Sequence, residues 1–152
     1  MSYDNLRKGR VSIAGHFYSI TIVTHNRQPY FRDFQLGRIV IAEMRRLHDD
    51  GLVQSCAWVL MPEHLHWLFQ LGAGLSLSDV VRTLKARSAH RINKTLVRQG
   101  AVWQKAFHDH AIRREEDLRN HGHYWVTNPL RRGIVTEIGC YPLWDAVWIS
   151  DD

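Results

Sequence analysis

Met61-Pro62-Glu63-His64-Leu65-His66-Trp67-Leu68-Phe69-Gln70-Leu71 is the stretch whose reading decides the fold. Pro62-Glu63 is a tight-turn pair between two apolar runs. Leu52 to Met61 precedes it and His64 to Leu71 follows it, which predicts an antiparallel hairpin. Side chains alternate along a strand, so His64, His66, Leu68 and Gln70 share one face. Leu65, Trp67, Phe69 and Leu71 make an unbroken apolar row on the other, and that row is expected to face the core. The histidines then lie on the less buried face, about 7 Å apart along the strand and able to converge on one ion.

Working outward, His16 to Thr24 is rich in aromatic and β-branched residues and reads as a strand. Asn26-Arg27-Gln28-Pro29 breaks it. Leu36, Ile39, Val40, Met44 and Leu47 follow a helical period that Asp49-Asp50-Gly51 ends. After the loop Gly72-Ala73-Gly74, Ser76 or Ser78 caps a helix running to about Val97. Leu77, Val81, Leu84, Ile92 and Leu96 are its expected buried stripe, and Arg87, Arg91, Lys94 and Arg98 fall on another face. Gly100 closes it.

A fourth strand is expected within Val102 to Arg113, and a third helix from near Glu115 to the neighbourhood of Pro129. The order β-α-β-β-α-β-α is the split βαβ pattern. The fold class expected is α+β, a ferredoxin-like or RRM-like antiparallel sheet with its two crossover helices on one face. The other face is left free for a site, and an added helix follows. The whole chain, 1–152, is read as one domain, with a basic arm at 1–10 and a C-terminal tail at 133–152 that is aromatic and short of helical signals.

Composition bounds the function. The 152 residues carry a formal charge of +5 and 45% apolar residues, enough for a hydrophobic core and a weak pointer to a polyanionic partner. Cys56 and Cys140 form no metal or redox motif, and Cys56 is most simply a buried strand residue. A reduced, cytoplasmic setting fits best. No apolar run approaches the ~20 residues of a membrane span.

Tyr124 and Asn128 sit four apart, hence on one face of the expected third helix. A tyrosine hydroxyl has a pKa near ~10 and needs help to attack a phosphodiester at neutral pH. A divalent metal on a non-bridging phosphate oxygen supplies that help. Two histidine nitrogens alone do not identify the metal; mixed nitrogen and oxygen ligands with open positions suit Mg²⁺ or Mn²⁺. His108-Asp109-His110 repeats the His-x-His spacing and shows how little the tripeptide says by itself.

At these residues the chain resembles the single-tyrosine HUH transposases, and most closely the REP-associated tyrosine transposases. The matching blocks are Ala57 to His66, Val102-Trp103-Gln104 through His108 to Arg113, and Tyr124 to Val135, with Tyr141-Pro142-Leu143-Trp144 resembling the family's tail. Leu143 and Asp145 depart from that tail's usual residues. The resemblance runs from about His16 to Trp144 and implies an HUH endonuclease fold acting on single-stranded DNA.

It implies His64 and His66 as metal ligands, Asn128 as a further one, and Tyr124 as the nucleophile of a 5′-phosphotyrosine intermediate. Glu63 and His110 are expected as accessory residues. Arg7, Lys8 and Arg10 are expected to read the foot of a REP-like palindromic hairpin. Lys85, Arg87 and Arg91 are further DNA-binding candidates, and Lys85 stands where the family helix also carries lysine. Trp103 and Phe107 can stack unpaired bases, although core packing is the more usual use of such residues. A monomer is favoured, with a homodimer exchanging tyrosines as the alternative. The competing reading is a non-catalytic nucleic-acid-binding module of RRM-like topology. It is disfavoured because histidines stand where stacking aromatics would be expected. A structural zinc protein would need four closed ligands, which the cysteine spacing does not offer.

Overall fold

A computed structural model describes residues 12–112 and 144–146. Strand β1 spans Phe17–Val23, helix α1 Phe34–Asp49, β2 Val53–Met61, β3 His64–Leu71, α2 Leu77–Leu96, β4 His108–Ile112 and β5 Trp144–Ala146. The sheet order is β4-β1-β3-β2-β5, antiparallel at every pairing. The first four strands in this order, with two crossover helices, are the expected ferredoxin-like arrangement. The expected third helix, with Tyr124 and Asn128, lies outside the described residues, as does the arm at 1–10.

The hairpin forms as its alternation predicts. Leu65, Trp67, Phe69 and Leu71 are all buried. Trp67 and Phe69 pack with ring centroids 4.5 Å apart, and the Trp67 indole donates to Ser55 Oγ at 2.9 Å, so its one polar atom is satisfied inside the core. On the same side, Ile41, Met44 and His48 of α1 line a cleft with Ser55 and Trp58 of β2. Helix α1 is capped by Asp33, which accepts from Gln35 N at 2.9 Å. It is tied to α2 by Glu43, a buried carboxylate that accepts from Arg91 at 3.0 Å and from Arg46. Ser76, rather than Ser78, caps α2 by accepting from Asp79 N.

Several expectations are corrected. The face opposite the helices is not open: Val59, Met61 and Leu68, which share it with the histidines through strand register, are fully buried. Alternation tells which way a side chain points, not what lies over it. Leu96 is 39% exposed instead of buried, while Val80 and Ser88 complete the buried stripe of α2. The helix ends before Gly100 because Val97 itself takes the left-handed conformation, at φ 53°, an uncommon posture for a β-branched residue. Asn93 and Arg98 brace that turn, Asn93 Nδ2 donating to Gly100 O at 2.9 Å and Arg98 to Asn93 Oδ1 at 2.7 Å.

Trp103 and Phe107 are core residues, buried beside α2, and Trp103 Nε1 donates to Ser88 Oγ at 2.9 Å. The expected aromatic tail contributes β5, which pairs with β2 through Ala57↔Ala146 and Val59↔Trp144. Cys56 is the extra residue of a β-bulge between Ser55 and Ala57 and is only partly buried. That burial pushes its thiol pKa from 9.0 up to about 11, against a lowering hydrogen bond from the Gln70 backbone, which leaves the thiol inert at neutral pH.

Candidate metal and nuclease site

The Pro62-Glu63 turn is held from outside the hairpin. Thr24, fully buried, accepts nothing from it but donates twice: its backbone N–H and its hydroxyl both reach Glu63 O, at 2.9 and 3.1 Å. Phe31 N donates to Pro62 O at 3.1 Å. These bonds fix the start of β3, and with it the backbone that carries His64.

The two imidazoles then converge. Their ring centroids are 4.6 Å apart at an interplanar angle of 76°, and Nε2 of His64 stands 3.0 Å from Nε2 of His66. Each ring's second nitrogen has its own partner. His64 Nδ1 donates to Glu63 Oε1 at 2.9 Å, and His66 Nδ1 lies 3.0 Å from Thr21 Oγ1. This is the pattern in which outer hydrogen bonds orient metal-binding histidines. The His64–Glu63 pair is close to buried, at 11% and 13% side-chain exposure, so the carboxylate's hold on the ring is little screened.

The donor set fits a divalent ion in kind: two imidazole nitrogens face each other 3.0 Å apart and would together hold one. Among the described residues no third histidine, cysteine or carboxylate joins a metal-binding cluster with this pair.

Thr21 is the site residue that sequence reasoning missed. Its signal is the strand register: Thr21 pairs with His66 on one side and with His108 on the other, so all three project to one face. The same register puts His110 beside Ser19, two pairs further from the His64 end, on the exposed edge strand β4.

The cationic candidates are dispersed. Lys85 directs its ammonium at the carbonyl oxygens of Gln104, Lys105 and Ala106, at 2.8, 3.2 and 3.0 Å, and thereby clamps the loop leading to β4. Arg91 spends one N–H on Glu43. Arg87 has a buried Nη1 with no hydrogen-bond partner among the described residues. Arg7, Lys8, Arg10, Tyr124 and Asn128 all lie outside the described residues.

Fold and site together define a ferredoxin-like α+β protein that carries a paired-imidazole site at one end of its central hairpin. Comparison gives the family. The model described as "Transposase IS200 like" matches residues 12–124, and the chain belongs to that family of transposase enzymes. A REP-associated tyrosine transposase of Escherichia coli (strain K12) is 28% identical over 127 residues, covering 83% of this chain and 72% of its own length. A relative from Haemophilus influenzae is 27% identical, with 84% of this chain and 78% of its own length matched. The solved structure of a REP-associated tyrosine transposase bound to a REP hairpin superposes with a TM-score of 0.76 at 27% identity, covering 89% of this chain and 79% of that one. The family resemblance is therefore shared by sequence and fold. No described helix is long and apolar enough to cross a membrane.

Proposed function

We propose that this transposase cleaves and rejoins single-stranded DNA at REP-like palindromic hairpins through a 5′-phosphotyrosine on Tyr124, with a divalent metal held by His64 and His66. The observation that carries the reading is the facing pair of Nε2 atoms, each ring fixed from behind by Glu63 or Thr21. Asn128 is the proposed further ligand, from four residues beyond the tyrosine. A bound Mg²⁺ or Mn²⁺ supplies Lewis acidity toward the scissile phosphate.

Tyr124 Oη attacks phosphorus and loses its proton. The bond to the 3′ oxygen breaks, and that oxygen leaves as a free 3′-OH. One phosphodiester is exchanged for another, so its energy is kept in the tyrosine ester. A second 3′-OH can then reverse the step and join a new strand without ATP. Glu63 keeps His64 in the tautomer that presents Nε2, and His110 is a proposed accessory residue on the same face. Arg7, Lys8 and Arg10 are proposed to read the foot of the hairpin, and Lys85, Arg87 and Arg91 to add cationic field along the strand. The solved relative binding a REP hairpin supports this substrate class. A monomer is the proposed working unit.

A labelled single-stranded hairpin, with unpaired flanks drawn from the DNA beside the gene, tests this. Cleavage is expected with Mn²⁺ or Mg²⁺, none with excess chelator, and none on the same sequence made fully duplex. Tight binding of the hairpin with no cleavage under any metal would favour the non-catalytic binding module instead.

A further inference from the structure

We infer that Arg27 seats the DNA strand at the paired imidazoles by binding, through its guanidinium, a phosphate next to the scissile one. This rests on the single-strand nuclease reading above and adds a residue to it. The observation that carries it is a strained turn, fixed against the His64 end of the hairpin, that presents an arginine the fold itself does not use.

Asn26 and Arg27 follow closely on β1 and both take the left-handed conformation, at φ 55° and 50°. Asparagine visits that region readily, but as a single residue. Arginine does so at a cost, because its Cβ crowds the neighbouring carbonyl oxygen. Glycine would adopt the same φ without that clash. The arginine returns nothing in packing. Its side chain is exposed, and among the described residues its guanidinium makes no hydrogen bond or ion pair. Non-glycine residues held in this conformation collect at ligand-binding positions.

The surroundings hold the turn rigidly. On one side Thr24 N donates to Glu63 O at 2.9 Å, and the Thr24 hydroxyl reaches Glu63 O and Gln28 O, at 3.1 and 2.9 Å. On the other side His25 N donates to Val102 O at 2.8 Å and Gln104 N to Val23 O at 2.9 Å. Arg27 N closes the turn on Thr24 O at 3.1 Å. The turn is thus tied to the same Glu63 that orients His64, and Val23, four residues before Arg27, is the register partner of His64. A strand whose scissile phosphate is held at the imidazoles brings its neighbouring phosphate, one nucleotide along, to this end of the sheet. A guanidinium suits that phosphate: its planar fork donates two parallel N–H bonds to two oxygens and keeps its charge at any working pH. Phosphate contacts set register without reading bases. Arg27 therefore decides which phosphate arrives at the ion, not which sequence is bound.

The test uses the full chain as Arg27→Gly and Arg27→Asn, which both accept the left-handed backbone, and as Arg27→Lys, which keeps the charge but not the fork. Cleavage of the labelled hairpin is followed with Mn²⁺, and again with a single uncharged methylphosphonate in place of each phosphate flanking the cut. Thermal melting is expected to place Arg27→Gly at or above the wild-type Tm. Both neutral variants are expected to lose about 10- to 100-fold in kcat/KM, with the Mn²⁺ concentration for half-maximal cleavage unchanged and Arg27→Lys recovering only part. At one flanking position the methylphosphonate should cost the wild type a similar factor and cost Arg27→Gly nothing more, since the partner is already gone. Folded Gly and Asn variants with wild-type kcat/KM overturn the inference and leave the nuclease reading standing. Methylphosphonate penalties that match between wild type and Arg27→Gly at every position do the same. A wild type that cleaves no hairpin with either metal overturns the nuclease reading, and the inference with it.

Discussion

Tyr124→Phe is expected to leave DNA binding within a few-fold of wild type and to lower hairpin cleavage by at least about a thousandfold. The substitution removes one oxygen atom. In the proposed reaction that oxygen is the attacking atom, so no other part of the site can substitute for it by rearrangement. Uncatalysed phosphodiester cleavage is so slow that residual turnover should be undetectable on the assay timescale. Gel mobility shift reads the binding, and a denaturing gel of the labelled hairpin reads the cleavage. A variant that still cuts at a tenth of the wild-type rate would remove tyrosine catalysis from the account.

Loss of either imidazole is expected to be nearly as severe. His64→Ala and His66→Ala should each reduce metal-supported cleavage by at least about a hundredfold, because Lewis-acid stabilisation contributes several kcal/mol and depends on both ligands. The double variant should be little worse than the worse single, since residues that act as one unit are not additive. The fold should survive, because the rings lie near the turn end of β3, on the face opposite the packed row Leu65, Trp67, Phe69 and Leu71. Circular dichroism and thermal melting check the fold, calorimetry with Mn²⁺ checks the ion, and the labelled hairpin checks the activity. Two single variants that retain wild-type metal dependence would show that the ion, if used, is held elsewhere.

Much of this architecture was legible in the residues. The hairpin follows from a period of two on each side of Pro62-Glu63, and that same period places both histidines on one face before any tertiary contact is considered. Helices α1 and α2 follow from a period near 3.6 with recognisable ends. What the residues do not display is register between strands distant in sequence. Thr21 becomes a site residue only because β1 pairs with β3 so that Thr21 meets His66. Strand β5 covers only Trp144–Ala146, too short to have a pattern of its own, and it exists because β2 offers an edge. The bulge at Cys56 and the left-handed Val97 are likewise set by surroundings, not by local propensity.

The site itself was half legible. The spacing of His64 and His66 placed both rings on one face, but not their Nε2 atoms within 3.0 Å of each other. The cations carry contacts that the residues do not display: the fold directs Lys85 at loop carbonyls and Arg91 at the buried Glu43.

The most direct test of the central claim is to isolate the covalent product. The full chain is incubated with the hairpin and Mn²⁺, denatured, digested with protease, and the DNA-linked peptide is sequenced by mass spectrometry. The account predicts one adduct, a 5′-phosphate ester on Tyr124, and a released strand whose 3′-OH a polymerase can extend. An adduct on another residue, a 3′-phosphate linkage, or cleavage with no adduct at all would contradict it.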